Sequence, residues 1–160
     1  MKTEHPDEAG LLAERVAQAL DGTNRTAATA ESITCGTIAA VLAAAHNASE
    51  WFQGAVVAYR RDVKVCVLGV DQGPVITASS ARQMAVGVCA LLNADFAIGT
   101  TGAGGPGAAE GQPAGTVFIA VATPDDCRVR QIPLRRRATG RRAQCDDPGA
   151  ARSGSGIHRS

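Results

Sequence analysis

The sequence predicts a layered α/β domain built on a mixed sheet, and three observations carry that expectation. Segments whose apolar residues recur at helical spacing alternate with short apolar runs bounded by Gly, Asp or Asn. Alternation of this kind lays helices against a sheet with parallel strands. The last two strand-like runs are joined across Pro124-Asp125-Asp126, a turn that joins neighbours antiparallel. Composition is the third: 160 residues, 45% hydrophobic but only 3% aromatic, suffice for one domain with a core of Ala, Val, Leu and Ile.

Each element has its own signal. Leu11, Leu12, Val16 and Leu20 recur at helical spacing behind Pro6-Asp7-Glu8, predicting an amphipathic helix over roughly 7–21 that stops at Asp21-Gly22. A short strand over roughly 26–31 follows, and the stretch from Gly36 to Leu42 restarts a helix that runs to about Ala45. Gly54 to Tyr59 is an apolar strand and Asp62 to Leu68 a short helix. Ser79 to Leu92 carries Met84, Val88 and Leu91 on one side and reads as the next helix, with Phe96 to Thr100 as a buried strand after it. Thr101-Gly102-Ala103-Gly104-Gly105-Pro106-Gly107 reads as a loop. Gly115 to Thr123 is a strong strand, and Arg128 to Ile132 its hairpin partner.

Charge divides the chain. Residues 1–127 hold seven Lys/Arg against thirteen Asp/Glu, a balance of −6, whereas residues 128–160 hold nine Arg against two Asp, a balance of +7. The expected organisation is therefore a domain over 1–133 and a basic, disordered tail over 134–160. The tail has no aromatic residue to stack on bases and no periodic face, so specific nucleic-acid binding is not expected. No apolar stretch approaches membrane-spanning length and the N-terminus is polar and acidic, so no membrane association is expected and a cytoplasmic location is. Five cysteines (Cys35, Cys66, Cys89, Cys127, Cys145) never form C-x-x-C and read as reduced thiols, most of them buried. His5, His46 and His158 lie in one tail, at a helix end and in the other tail, which gives a histidine metal site or triad no obvious home, and no metal is expected.

Lys64 is the only lysine apart from Lys2, beside fourteen arginines. Arginine cannot give up its proton and a desolvated lysine can, so Lys64 is a candidate base. The alternative is a surface lysine left over by arginine-rich coding. A strand then delivers Glu31-Ser32 into the turn Thr34-Cys35-Gly36 that opens a helix, setting backbone N–H groups beside a serine hydroxyl. Ser32 is a candidate nucleophile, or else Ser32 or Thr34 merely caps the helix. The loop from Gly102 to Gly115, rich in glycine, is the second place where backbone donors can approach a ligand. It is not a Walker or dinucleotide fingerprint, since no Gly-Lys-Ser/Thr follows.

Together these segments resemble the CinA C-terminal domain family, whose characterised members are nicotinamide-mononucleotide deamidases. Thr29-Ala30-Glu31-Ser32-Ile33-Thr34-Cys35-Gly36 is similar to the family's T-A-E-S-C-T-G-G, and Trp51 to Tyr59 to its F-x-G-G-V-V-x-Y strand. Lys64 falls on the lysine of Y-S-N-x-x-K, with Leu68-Gly69-Val70 as L-G-V. Thr100 to Gly107 resembles T-G-I-A-G-P-G-G, and Gln112 to Ala120 resembles K-P-V-G-T-V-x-I-A. The resemblance covers roughly residues 8–133. It implies a single three-layer α/β/α domain and an amidohydrolase in which Ser32 attacks the carboxamide of nicotinamide mononucleotide while neutral Lys64 takes its proton. Tyr59 would line the site or hydrogen-bond the dyad. Glu31, Thr34, Cys35, Gly36, Arg60, Arg61, Thr101, Gly102, Gly104 and Gly105 would line the substrate site. The implied partners are a small nucleotide substrate and further copies of the chain in a homodimer or higher homo-oligomer, with no organic cofactor.

The departures from the family pattern are local. Cys35 stands for a glycine, and Arg60 and Arg61 stand for Ser and Asn beside Lys64, where a nearby guanidinium would depress the lysine pKa further. After Pro133 the family's F-x-G-D-R-x-x-V-R stretch and its amphipathic C-terminal helix have no counterpart. Reading Gln144-Cys145-Asp146-Asp147 one nucleotide onward permits Asn-Ala-Thr-Ile, so the tail is compatible with a shifted reading frame. A second functional class stays open beside the amidohydrolase: a catalytically weak or inactive relative that binds a nucleotide-like ligand or a partner protein.

Overall fold

The computed structural model describes residues 8–133. The basic tail expected over 134–160 lies outside them, as do the first seven residues of the expected domain. Along the chain come α1 (Glu8–Leu20), β1 (Ala27–Glu31), α2 (Thr37–Ala43), α3 (Ala48–Trp51), β2 (Phe52–Val57), α4 (Arg61–Leu68), α5 (Ala78–Leu92), β3 (Phe96–Gly102), β4 (Thr116–Ala122) and β5 (Cys127–Pro133). The five strands form one mixed sheet in the order β2-β1-β3-β4-β5. β1 runs parallel to both β2 and β3, and β4 is antiparallel to β3 and β5.

Most boundaries follow the sequence pattern, and the exceptions have causes. β2 begins at Phe52 rather than Gly54, its register with β1 shifting between Ala27 and Ala28, and Trp51 ends the short helix α3 that periodicity does not signal. β3 continues past Thr100 because its ladder with β4 runs to Gly102 opposite Val117, so the glycine-rich loop begins at Ala103. The four described cysteines are free, as expected, but none is buried: Cys35 and Cys66 are exposed, Cys89 and Cys127 half-buried.

Helices lie on both faces of the sheet, giving three layers. On one face α4 and α5 pack over Ala28, Ala30, Ala58 and Ala97, with Leu68, Met84 and Val88 as the large side chains of the core. The same helix α5 sets Ala81 and Ala85 against Phe118, Ala120 and Ala122 of β4. On the other face α1, α2 and α3 bury Ala13, Ala17, Leu42, Ala45 and Trp51 against Ala27 and Phe96. Small residues at the contact let helices approach the sheet closely.

The second face is covered only in part. The sequence pattern sets Leu11, Leu12, Val16 and Leu20 on one side of an amphipathic α1, but the buried residues of that helix are Ala13 and Ala17, with Leu20 partly buried against them, and both Leu11 and Leu12 are 52% exposed. Leu12, Val16 and Leu20 instead wall an open apolar groove of about 630 Å³ whose floor includes Ala27, Phe96, Ile98 and Val121. In-register partners share a face, so Ile98, Val121 and Arg128 lie on this side, followed by Ile119 and Arg130. Among the described residues nothing crosses it. No helix among them is long and apolar enough to span a membrane.

The two faces should respond differently to truncation. Met84→Ala, at a fully buried position, should lower unfolding free energy by about 2–5 kcal/mol. Val121→Ala on the open face should cost less than about 1 kcal/mol. Urea unfolding of both variants measures the contrast.

Candidate active site

Glu31 organises the first loop of the site. It ends β1, is fully buried, and its carboxylate faces the start of α2. Oε2 accepts the Gly36 and Ile38 N–H groups at 2.9 and 3.2 Å, and Oε1 accepts the Ala39 N–H at 2.7 Å and the Thr29 hydroxyl at 3.1 Å. The carboxylate thus occupies the free donors that a helix presents at its N-terminus. Cys35 N–H closes the turn onto the Ser32 carbonyl at 3.2 Å, and Ser32 N–H donates to the Thr100 carbonyl at 3.1 Å. The turn takes two left-handed residues in succession, Cys35 at φ 50° and Gly36 at φ 89°. Glycine adopts that region freely, while a cysteine there is strained by about 1 kcal/mol.

The turn leaves Ser32 available. The residue is buried, its hydroxyl takes no hydrogen-bond partner among the described residues, and no fully enclosed side-chain polar atom is unpaired, so the hydroxyl reaches solvent. The amides of Ile33 and Thr34 are likewise without a partner in the turn. An N–H on the residue after a nucleophile is well placed to meet a developing oxyanion.

Lys64 arrives from the neighbouring strand end. β1 and β2 leave the sheet side by side, Ala58 N–H donating to the Glu31 carbonyl at 2.8 Å. α4 then turns the chain back, and Lys64 is 1% exposed with its Nζ donating to the Tyr59 carbonyl at 2.8 Å. Burial pushes its pKa down from the ordinary 10.5, Glu110 pulls it up and Arg61 pushes it down again. No hydrogen bond joins Lys64 to the Ser32 hydroxyl in this unliganded arrangement. Catalytic contacts often tighten only when substrate binds.

The glycine-rich loop borders the same end of the sheet. Ile33 lies over it so closely that a Cβ on Gly102 would come within 2.9 Å of that side chain, and one on Gly104 within 3.3 Å. Gly104, Gly105 and Gly107 are exposed, and their amides make no backbone hydrogen bond among the described residues. The loop is fastened by Glu110, whose Oε2 accepts Val75 and Ile76 N–H at 2.6 and 2.8 Å while Oε1 pairs with the Arg61 guanidinium.

Residues 10–147 match the family model for the CinA C-terminal domain. The chain belongs to the CinA C-terminal domain family. The match reaches beyond Pro133 into the basic segment. The CinA-like protein of Gloeobacter violaceus is 42% identical over 129 residues, 77% of this chain and 30% of that protein. That of Frankia casuarinae is 38% identical over 130 residues, 78% of this chain and 28% of that protein. The chain therefore spans less than a third of the length of these relatives. A competence-damaged protein (CinA) superfamily protein of Escherichia coli superposes with a TM-score of 0.76 at 28% identity, covering 83% of this chain and 81% of that one. Competence damage-inducible protein A of Klebsiella pneumoniae gives 0.75 at 30% identity, covering 79% and 83%.

In this CinA-family domain the nominated residues separate into those that face outward and those that hold the frame. Ser32, Gly104 and Gly105 present groups that a ligand can reach. Glu31, nominated as a substrate contact, is instead the internal brace of the turn, because all its carboxylate acceptors face backbone and Thr29 donors. Thr101 is also framework: fully buried, it donates its hydroxyl to the Val75 carbonyl at 2.7 Å. Gly102 belongs to the β3–β4 ladder, and the Thr34 hydroxyl bonds that of Thr100 at 2.8 Å. The Gly36 amide, expected to help hold an anion, is taken by Glu31. Tyr59 contributes its carbonyl, while its side chain is 70% exposed. Arg60 pairs with Asp62 in solvent, and Arg61 is the guanidinium that depresses Lys64. Glu110 and the Ile33 amide have no signal in the sequence, since one lies in an irregular loop and the other is backbone.

Two variants test this arrangement. Glu31→Gln replaces an acceptor oxygen with an N–H₂ facing other donors, so unfolding free energy should fall by about 1–3 kcal/mol. Lys64→Met addresses the buried ammonium. The folded pKa of Lys64 lies below 10.5, so the unfolded chain holds the proton more tightly and the wild type is penalised while Lys64 stays charged. Lys64→Met should therefore be the more stable protein at neutral pH. Its advantage should shrink as pH rises from the lowered folded pKa toward 10.5. Urea midpoints across that range give the sign directly.

Proposed function

We propose that this domain is an amidohydrolase that converts nicotinamide mononucleotide to nicotinate mononucleotide and ammonia. The observation that carries the reading is a buried lysine with a lowered pKa at the same sheet end as a serine whose hydroxyl is unbonded among the described residues. In that reading neutral Lys64 accepts the Ser32 proton as Oγ bonds to the carboxamide carbon, and the carbonyl oxygen becomes an oxyanion facing the Ile33 and Thr34 amides. The protonated lysine gives its proton to the departing nitrogen, the C–N bond breaks and ammonia leaves. Water, deprotonated by the same lysine, then attacks the Ser32 ester, releasing the carboxylate and restoring the hydroxyl. The amides of the exposed residues Gly104, Gly105 and Gly107 are suited to the nucleotide phosphate.

A second reading is favoured by one specific observation, the absence of a Ser32–Lys64 hydrogen bond: a domain that holds a nucleotide-like ligand without turning it over. Ammonia release from nicotinamide mononucleotide separates the two. Ser32→Ala and Lys64→Arg should each lose activity by about 10²–10⁴-fold, the latter because arginine keeps the charge but cannot serve as a base. Equal ammonia release by wild type and both variants contradicts the enzyme reading.

A further inference from the structure

Between β3 and β4 the chain makes a long excursion whose tip is a tight turn, Ala109 and Gln112 exchanging backbone hydrogen bonds at 3.0 and 2.9 Å. Glu110 sits in that turn at φ 50°, a backbone conformation that glutamate rarely adopts. Every side-chain hydrogen bond that ties this excursion to the rest of the described protein comes from its carboxylate. One oxygen meets two successive backbone donors, Val75 and Ile76, and the other meets Arg61. Arg61 is the first residue of α4, the helix that carries Lys64 three positions later.

We propose that Glu110 is a positioning residue of the Ser32/Lys64 site, its carboxylate pinning the glycine-rich loop to the Val75–Ile76 backbone and, through Arg61, to the first turn of α4. The proposal rests on the amidohydrolase reading for its catalytic meaning, but its electrostatic content stands alone. Among the described residues the charged groups that act on Lys64 are Glu110, from the loop, and Arg61, from its own helix, and they act in opposite senses. The ion pair therefore does two things at one point: it closes the loop against α4, and it sets a negative charge against a positive one around the candidate base. Removing either partner alone unbalances the field at Lys64 in a direction fixed by which charge remains.

The chain contains only two lysines, Lys2 and Lys64, so labelled-lysine NMR resolves the titration of Lys64 with the N-terminal lysine as internal reference. Glu110→Gln should lower the Lys64 midpoint by about half a pH unit or more, Arg61→Gln should raise it by a similar amount, and the double variant should return close to wild type. Arg61 is half exposed at its side chain, so its variant keeps the test alive should Glu110→Gln fold poorly. Midpoints that move in the same direction in both single variants, as a loosened loop admitting water would produce, overturn the proposal, as does no movement in either. Ammonia release from nicotinamide mononucleotide is measured on the same samples. Opposed shifts without turnover by any protein uphold the clamp and remove the substrate assignment, whereas turnover by the wild type with unmoved midpoints removes the clamp and leaves the substrate assignment standing.

Discussion

The buried carboxylate of Glu31 is the interaction on which the site depends. A carboxylate taken out of water is costly unless its oxygens are satisfied, and here three backbone N–H groups and a threonine hydroxyl satisfy them. Those same bonds fix where α2 starts and force the chain through two left-handed residues, Cys35 and Gly36. The consequence lies one residue after Glu31. Because the helix start is already capped from within, Ser32 is not needed as a cap and its hydroxyl is left without a partner among the described residues. A helix capped by its own serine would have left that hydroxyl less available.

Lys64 shows the complementary economy. Its ammonium sits in the interior with one acceptor among the described residues, the Tyr59 carbonyl, so the charged form is poorly compensated. The lowered proton affinity comes first from burial and is then adjusted by Glu110 and Arg61. Each of these groups also holds a piece of backbone: Tyr59 the exit of β2, Arg61 the start of α4, Glu110 the glycine-rich loop. Geometry and electrostatics at the site are therefore maintained by the same few contacts.

The sequence made much of this legible and left the rest hidden, for physical reasons. Alternating periodicities are enough to order every strand, and the scarcity of lysine draws attention to Lys64, which the family motif then matches. Three things escape such reading. α1 presents leucines at helical spacing yet buries Ala13 and Ala17, because periodicity identifies an apolar stripe without saying which neighbour is there to cover it. Glu31 reads as a substrate contact beside a serine, and only its hydrogen bonds reveal a brace. Glu110 lies in a loop with no period, where a long-range ion pair leaves no local pattern.

The open groove beside α1 bounds the described fold and lies apart from the candidate site. Its apolar floor is formed by Phe96, Ile98 and Val121, while Ser32 and Lys64 sit at the strand ends. The proposed hydrolysis requires covalent work by Ser32, and trapping an acyl intermediate tests for it. With nicotinamide mononucleotide and hydroxylamine present, the wild-type protein should release ammonia and form the nicotinate mononucleotide hydroxamate, and Ser32→Ala should form none. Ammonia release without hydroxamate, or hydroxamate formed equally by Ser32→Ala, would contradict the account.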